Sequence, residues 1–308
     1  MYFKKYKFPF SENENSRVQK IAINAGFDCP NRDGSKAYGG CIFCNNDAFI
    51  PFYSSEFSNV EEQINKGINF FSKKYKTDSY LAYFQAYTNT NAKIDEIKKI
   101  YDPIVSDDRF IGIVVGTRPD CINEEILEYF KSIQKKKYLK IEYGLETLND
   151  KSLEFCNRGH SAEESIKAIE ITLAEKIPVG VHFILGLPLD DYNSIITNSK
   201  IISEYNIDSI KLHQLQILKN TVLEKKYLED KSIVELFTAE KYVNLVVDFL
   251  EYLNPEIGIE RLINEIPPKY LIAPKWGGLR SNDIIKMVEA EFSKRNYYQG
   301  IKFIQKSR

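Results

Sequence analysis

Long apolar runs are missing from this 308-residue sequence, and so is an excess of charge of either sign. No stretch of about 18 apolar residues exists, which removes a membrane-spanning helix from the reading. Lys and Arg total 42 against 43 Asp and Glu, so no overall field draws the chain to a polyanion, and such a partner would have to be met by a local patch. The opening MYFKKYKFPFSENENSRVQK has neither the apolar segment nor the small-residue cleavage site of a secretory signal. A cytoplasmic protein that meets no membrane is the expectation. Also missing are internal repeats, low-complexity tracts and any Ser/Gly linker that would force a domain boundary. Histidine is limited to His160, His182 and His213, and cysteine to five residues. In a reducing compartment an odd, clustered set of thiols points to metal binding or catalysis, not to disulfides. Hydrophobic content is ordinary at 43%, enough for a proper core.

What is present is a strand and helix alternation. Apolar, β-branched runs at 19–24, 80–86, 110–115, 140–145, 179–185 and 209–215 are each short enough for a buried parallel strand. Between them, Val60, Ile64, Ile68 and Phe71, then Ile126, Leu127, Phe130 and Ile133, then Ile166, Ile169 and Leu173 form apolar stripes at helical spacing. Six strands alternating with helices predict an α/β fold with a parallel sheet, doubly wound or curled into part of a barrel. In either case function belongs at the C-terminal ends of the strands. Beyond residue 218 the alternation weakens. One helix is expected around Val243, Val246, Val247, Leu250 and Leu253, and a last one with Ile285, Val288 and Phe292 on one face. Residues 1–218 are read as the core and 219–308 as a helical C-terminal extension packed on it.

The cysteines sit after the first strand, in the loop at 25–50. Cys29, Cys41 and Cys44 lie in CPNRDGSKAYGGCIFC, a Gly- and Pro-punctuated stretch. Three thiols together suit a structural zinc site with a fourth ligand from elsewhere, a redox pair at Cys41 and Cys44, or an iron–sulfur cluster with one iron free of protein ligands. A zinc site would want a second CxxC or an HxxxH, and the three histidines are remote in sequence. Cys121 and Cys156 stand apart and read as ordinary half-buried residues.

With Phe43 before the last cysteine, and with the surrounding AGFDCPNRDGSKAYGGCIFCN, the loop resembles that of the radical S-adenosylmethionine (SAM) superfamily, in its YhcC/YtqA-like branch, related to the radical domain of the elongator catalytic subunit. Eleven residues, Pro30 to Gly40, separate the first two cysteines where the usual superfamily loop has three. That departure is the hallmark of the branch. The resemblance continues through FQAYTNT, VGTRPD, EYGLET, NRGHS, LGLP and KLHQLQILKNT, nearly the whole core. It implies a partial (β/α)6 TIM-type barrel, a 4Fe–4S cluster on Cys29, Cys41 and Cys44, and SAM chelated to the open iron and cleaved to a radical that removes a substrate hydrogen. It also implies a reductant such as flavodoxin or ferredoxin.

Strand alternation turns Lys140, Glu142, Gly144 and Glu146 to the barrel interior, and Ile141, Tyr143 and Leu145 to the helices. Glu142 and Glu146 then suit polar contacts to SAM, or form a pair of rim acids balanced by lysine. The resemblance places Gln85, Tyr87, Thr88 and Asn89 where the superfamily holds the methionyl amine, without a carboxylate in this chain. Thr117 and Arg118 would meet the SAM carboxylate or a substrate anion, unless Arg118 is a surface partner of Asp120. Arg158 and His160 lie close to the cofactor in related enzymes, ahead of a helix capped by Ser161 with Glu164. Leu185 and Gly186 open the turn that contacts adenine, if it is not a plain strand-ending turn. His182 on the fifth strand and Lys211 and His213 on the sixth are the candidates for the substrate pocket.

Members of the resembled branch include enzymes of tRNA wobble-uridine modification, which convert carboxymethylaminomethyluridine to aminomethyluridine. That makes tRNA the expected substrate. The basic, aromatic tail, Lys286, Lys294, Arg295, Lys302, Lys306 and Arg308 with Phe292, Tyr297, Tyr298 and Phe303, would offer an RNA surface, helped by Lys4, Lys5 and Lys7, or is a solvated helix end. A small-molecule or tetrapyrrole substrate, and a zinc-stabilised protein without catalysis, are the alternatives. IERLINEIPP, with Glu260, Arg261 and Asn264, is a diverged form of a segment that carries His-Arg and Gly in relatives.

Overall fold

A computed structural model describes residues 1–10, 18–48, 53, 59–75 and 77–305. The strands are β1 Val18–Ile23, β2 Ser79–Phe84, β3 Phe110–Thr117, β4 Tyr138–Glu146, β5 Val179–Leu185, β6 Ser209–Gln214, β7 Ile217–Leu218, β8 Gly258–Arg261 and β9 Leu271–Ala273. The α-helices are α1 Val60–Lys74, α2 Ile94–Val105, α3 Glu124–Gln134, α4 Asp150–Phe155, α5 Ala162–Ala174, α6 Tyr192–Ile202, α7 Val222–Glu229, α8 Ala239–Tyr252 and α9 Ser281–Arg295. No described helix is long and apolar enough to cross a membrane.

All six expected strands form, in chain order and parallel, and β8 adds a seventh beyond β6. The result is a half-barrel. Its one-sided hydrophobicity follows from the period of two. Ile21, Phe84, Ile113, Val115, Ile141, Tyr143, Val181, Phe183, Ile210 and Leu212 join the helices in the main core. Alternate positions, Lys20, Tyr83, Lys140, Glu142, His182 and Lys211, face the other way and fill the concave side.

The helices begin where the sequence supplies a side-chain acceptor. Asn59, Asn123, Asn149, Asp191, Thr221 and Thr238 each cap one. Ser161 and Glu164 close the reciprocal capping box that their spacing predicts. The segment after residue 218 is tied into the barrel: β8 joins the sheet, and α8 and α9 bury Val246, Leu250, Val288 and Phe292 in the same core as the strands. On α9 the buried face is Ile284, Val288 and Phe292, with Ile285 half-buried.

The N-terminal segment runs beside β8. The Tyr6 N–H donates to the Ile259 carbonyl at 3.0 Å, and the Ile259 N–H to Lys4 at 2.7 Å. Tyr6, Phe8 and Phe10 turn inward: Tyr6 meets Phe8 edge-to-face, Phe8 and Phe10 stack in parallel, and both phenylalanines meet Tyr138 edge-to-face, centroids 5.1 to 5.8 Å apart. Such pairs contribute about 0.5–1.5 kcal/mol beyond area burial. They close the end of the barrel remote from the cysteines.

Candidate active site

The cysteine loop leaves β1 and folds onto itself. The Cys29 carbonyl accepts from Arg32 and Asp33 at 2.7 and 3.0 Å, and the Asn31 carbonyl from Gly40 at 2.8 Å. Gly39 and Gly40, at φ 80° and 79°, take the left-handed conformation that lets the chain double back to Cys41. Asn31, fully buried, bolts the loop to the turn after α4: its Nδ2 donates to the Arg158 carbonyl at 2.8 Å and to Cys41 Sγ at 3.6 Å. Asn157 donates back to Gly40 at 2.8 Å. Beneath the loop, Ile42 and Phe43 pack with Cys156, Leu215, Ile217 and Leu223, so Cys156 is a core residue.

Cys29, Cys41 and Cys44 all face one cavity of about 220 Å³ at the C-terminal ends of the strands. The opposite walls come from Tyr83, Gln85, Tyr87 and Thr88, from Gly116, Thr117 and Arg118, from Glu142, Gly144 and Glu146, and from Arg158, His182, His213 and Arg261. Tyr87 and Glu146 sit at φ 61° and 68°. For non-glycine residues this conformation costs of order 1–3 kcal/mol and persists only where surroundings enforce it. Burial pushes the Cys44 thiol up to about 12, with the neighbouring Cys41 adding to the effect. Three thiolates side by side need a compensating cation.

Arg158 links the thiols to β4. Its Nη1 donates to Cys41 Sγ at 3.6 Å, and its Nη2 reaches the Gly144 carbonyl and Glu146 Oε1, the latter at 3.2 Å. Burial raises the Glu146 carboxyl, and Arg158 only partly offsets this. Deeper in, Glu142 gathers Lys211 at 2.5 Å, Lys20 at 3.1 Å and His182 Nε2 at 3.2 Å. Glu260 gathers Lys140 at 3.0 Å, Lys211 at 3.2 Å and Lys20. Burial alone would raise both carboxyls, but the lysines hold both well below the usual range. Burial and Lys211 together depress His182 to about 4, so it is neutral near pH 7.

A family model described as Radical SAM superfamily matches residues 28–197, and one described as Radical_SAM C-terminal domain matches residues 207–294. The chain belongs to the radical SAM superfamily. It is 32% identical over 295 residues to the protein YtqA of Bacillus subtilis, covering 96% of this chain and 90% of YtqA. Against protein YhcC of Escherichia coli K12 the identity is 31% over 262 residues, 84% of this chain and 82% of YhcC. A tRNA uridine(34) acetyltransferase of Methanocaldococcus jannaschii is 25% identical over 162 residues, 49% of this chain and 29% of that protein. In fold, the chain is similar to the archaeal Methanocaldococcus infernus Elp3, with a TM-score of 0.68 at 15% identity over 92% of this chain; it spans 64% of that structure's length.

As a radical SAM enzyme the protein uses a 4Fe–4S cluster and SAM, and its residues fit both. Among the described residues no three His, Cys, Asp or Glu side chains converge as a single metal ion requires. The three thiols instead share one cavity wall, as the separated irons of a cubane need. Asn31 and Arg158 are ready donors to Cys41 sulfur. Gly144 provides a cradle: a Cβ there would lie 2.6 Å from Glu146 Oε1 and 2.9 Å from Arg158 Nη2. SAM would meet the polar groups around it, Glu146, Arg158, Thr117 and the 85–88 turn.

Several expected contacts lie elsewhere. Asn89 is behind the wall, where its Nδ2 ties β2 to β3 through the Gly116 carbonyl at 2.8 Å. His160 is buried beside Ser165 Oγ at 3.2 Å and does not line the cavity. Leu185 packs against the helices, and Gly186 borders a separate cleft on which Phe237 presses. Lys211 supports the floor through Glu142. Arg118 lines the cavity but is no surface residue: it forks onto the buried Asp120 carboxylate at 2.9 and 2.8 Å, leaving Nη1 without a partner among the described residues. The basic tail is largely neutralised. Arg295 meets Asp248, Glu251 and Glu291, Lys302 meets Glu251, Lys294 meets Glu291, Lys4 meets Glu256 and Lys5 meets Glu289. Lys306 and Arg308 lie outside the described residues.

Sequence reasoning missed Asn31, Arg32, Lys20 and Tyr83. The last two were within reach of the alternation in β1 and β2, since each lies one step from a core residue.

Proposed function

We propose that this radical SAM enzyme modifies the wobble uridine of tRNA, converting carboxymethylaminomethyluridine to aminomethyluridine: the carboxymethyl C–H beside the amine gives up a hydrogen atom to the SAM-derived radical, then a proton and one electron that replaces the one spent on cleaving SAM, and water splits the resulting imine into the amine and a two-carbon aldehyde acid. The observation that carries the reading is a group of lysines beside the cysteine loop. The two-stranded ribbon of β7 and β9 packs on the cysteine loop through Ile42, Ile217 and Ile272, and Asn45 holds the Lys219 carbonyl at 2.8 Å. Around it stand Lys219, Lys225, Lys269 and Lys275, all exposed and none with a carboxylate partner among the described residues. Lys269 lies over Tyr270, 4.7 Å from its ring centroid. Uncompensated lysines with an aromatic beside a catalytic mouth suit phosphates flanking an unstacked base. The relative named for uridine 34 of tRNA supports the same choice.

When bound, the cofactors supply one-electron cleavage of SAM and hydrogen-atom abstraction from the substrate. The chain's residues bind and orient. Cys29, Cys41 and Cys44 hold the cluster, Arg158 and Asn31 steady Cys41, and the Glu142 network fixes the floor. His182 and His213, both held neutral by burial and neighbouring cations, line the inner wall without adding charge. Electrons would come from a flavodoxin or ferredoxin. The test is mass spectrometry of tRNA nucleosides from cells with and without the gene. Accumulated carboxymethylaminomethyluridine in its absence is expected, and an unchanged wobble-uridine profile removes the reading.

A further inference from the structure

Most cations on the concave side of the barrel are engaged by carboxylates, and two arginines are not. Lys20, Lys140 and Lys211 share Glu142 and Glu260. Arg118 is taken by Asp120 and Arg158 by Glu146. Arg32 has no carboxylate partner among the described residues, but it lies on the cysteine side over the Tyr87 ring, 5.9 Å from its centroid. Arg261, across the cavity at the end of β8, has no carboxylate partner among the described residues.

Arg261 is held in place by design of the backbone. The register of β6 with β8 shifts between Ile210 and Lys211, so Lys211 pairs with Arg261. That irregularity turns two consecutive residues inward, Glu260 to the lysines and Arg261 to the cavity, where strict alternation would send one outward. The guanidinium Nη1 then donates to Asn264 Oδ1 at 3.1 Å. Asn264 is clamped by Gln214, which donates to its carbonyl at 2.9 Å and accepts from its N–H at 3.1 Å. Gln214 and Asn264 are both buried. Beside this group His213 presents a buried Nε2 with no partner among the described residues.

We propose that Arg261, positioned by Asn264 and Gln214 and flanked by His213 Nε2, is the subsite that reads a carboxylate of the substrate. A planar fork fixed at one nitrogen and open at the others matches a carboxylate's two oxygens. The identity of that carboxylate, the carboxymethyl group, rests on the function proposed above; the subsite itself does not.

The test is calorimetric binding to full-length, cluster-loaded protein without oxygen, with four probes: carboxymethylaminomethyluridine, its carboxamide, N-methylglycine and SAM. Wild type should prefer the carboxylate nucleoside to the carboxamide by roughly 10- to 100-fold, the worth of a charge-assisted hydrogen bond. Arg261→Gln should erase the preference, Arg261→Lys should keep part of it, and SAM affinity should stay within about twofold. If Arg261→Gln instead weakens SAM while the nucleoside preference survives, the guanidinium serves the cofactor's carboxylate and the proposal is overturned. Absence of any carboxylate preference in wild type overturns it equally. Arg261-dependent binding of N-methylglycine without binding of the nucleoside upholds the subsite and removes the wobble-uridine reading.

Discussion

Lowering the pH from 8 to 5 should destabilise the cluster-free protein well before its surface carboxylates titrate. All three histidines of the chain, His160 buried and His182 and His213 half-buried, resist protonation: His182 at about 4 and His160 at about 3, and His213 well below its ordinary value, in each case through desolvation first and nearby cations second. Each is protonated near pH 6.5 once unfolded. The unfolded chain therefore binds more protons between pH 6.5 and 4, and stability present above pH 6.5 is lost as pH falls through that window. At pH 5 His182 and His160 each cost about 2 kcal/mol, and His213 acts in the same direction. Asp190 works the other way. Burial raises its carboxyl to about 6, so the folded state takes up its proton first and recovers about 1.4 kcal/mol by pH 5. His182, His160 and Asp190 together give a net loss of about 2–3 kcal/mol, to which His213 adds, a sizeable share of the stability of an ordinary domain. Urea unfolding followed at pH 8, 7, 6 and 5 measures it, and His160→Asn with His213→Asn should flatten the profile. A midpoint constant from pH 7 to 5 would refute the buried-neutral assignment.

Three further outcomes follow from the site. Replacing Cys29, Cys41 or Cys44 by alanine should drop iron and sulfide from about four each per chain to near zero, whereas Cys121→Ala should leave the content unchanged, as chemical iron and sulfide analysis will show. Glu142→Gln leaves Lys20, Lys140 and Lys211 to share the single carboxylate of Glu260 and should lower stability by about 3–5 kcal/mol, or roughly 10 °C in melting temperature; adding Lys211→Met should recover part of the loss, and a simple sum of the two would contradict a shared network. Lys219→Gln and Lys269→Gln should each weaken tRNA retention and reduce its logarithmic salt slope by about 1, while an unaltered slope would move the RNA surface away from the β7 and β9 ribbon.

The barrel was legible because its strands obey a simple period. The runs at 19–24 through 209–215 matched β1 to β6 to within a few residues, and interior positions such as Lys140, Glu142, His182 and Lys211 followed from alternation. The seventh strand escaped because β8 is four residues long and its shifted register puts Glu260 and Arg261 on one face, which no alternation announces. The basic tail misled for a different reason. Counting Lys286 to Arg308 finds a positive excess, but the acids that neutralise it, Asp248 and Glu251, lie on α8 and are remote in sequence. Asn89 and His160, placed near the cofactor by resemblance, show a further limit: each lies within two residues of a wall residue, Thr88 and Arg158, yet its side chain turns behind the wall to hold the backbone.

The aromatic closure under Lys140 stops one end of the half-barrel. With Tyr6, Phe8, Phe10 and Tyr138 packed there, the charged floor of Glu142 and Glu260 is backed by rings. A ligand pressing deeper than that floor meets aromatic carbon, so the reach of any bound molecule along the barrel axis is capped.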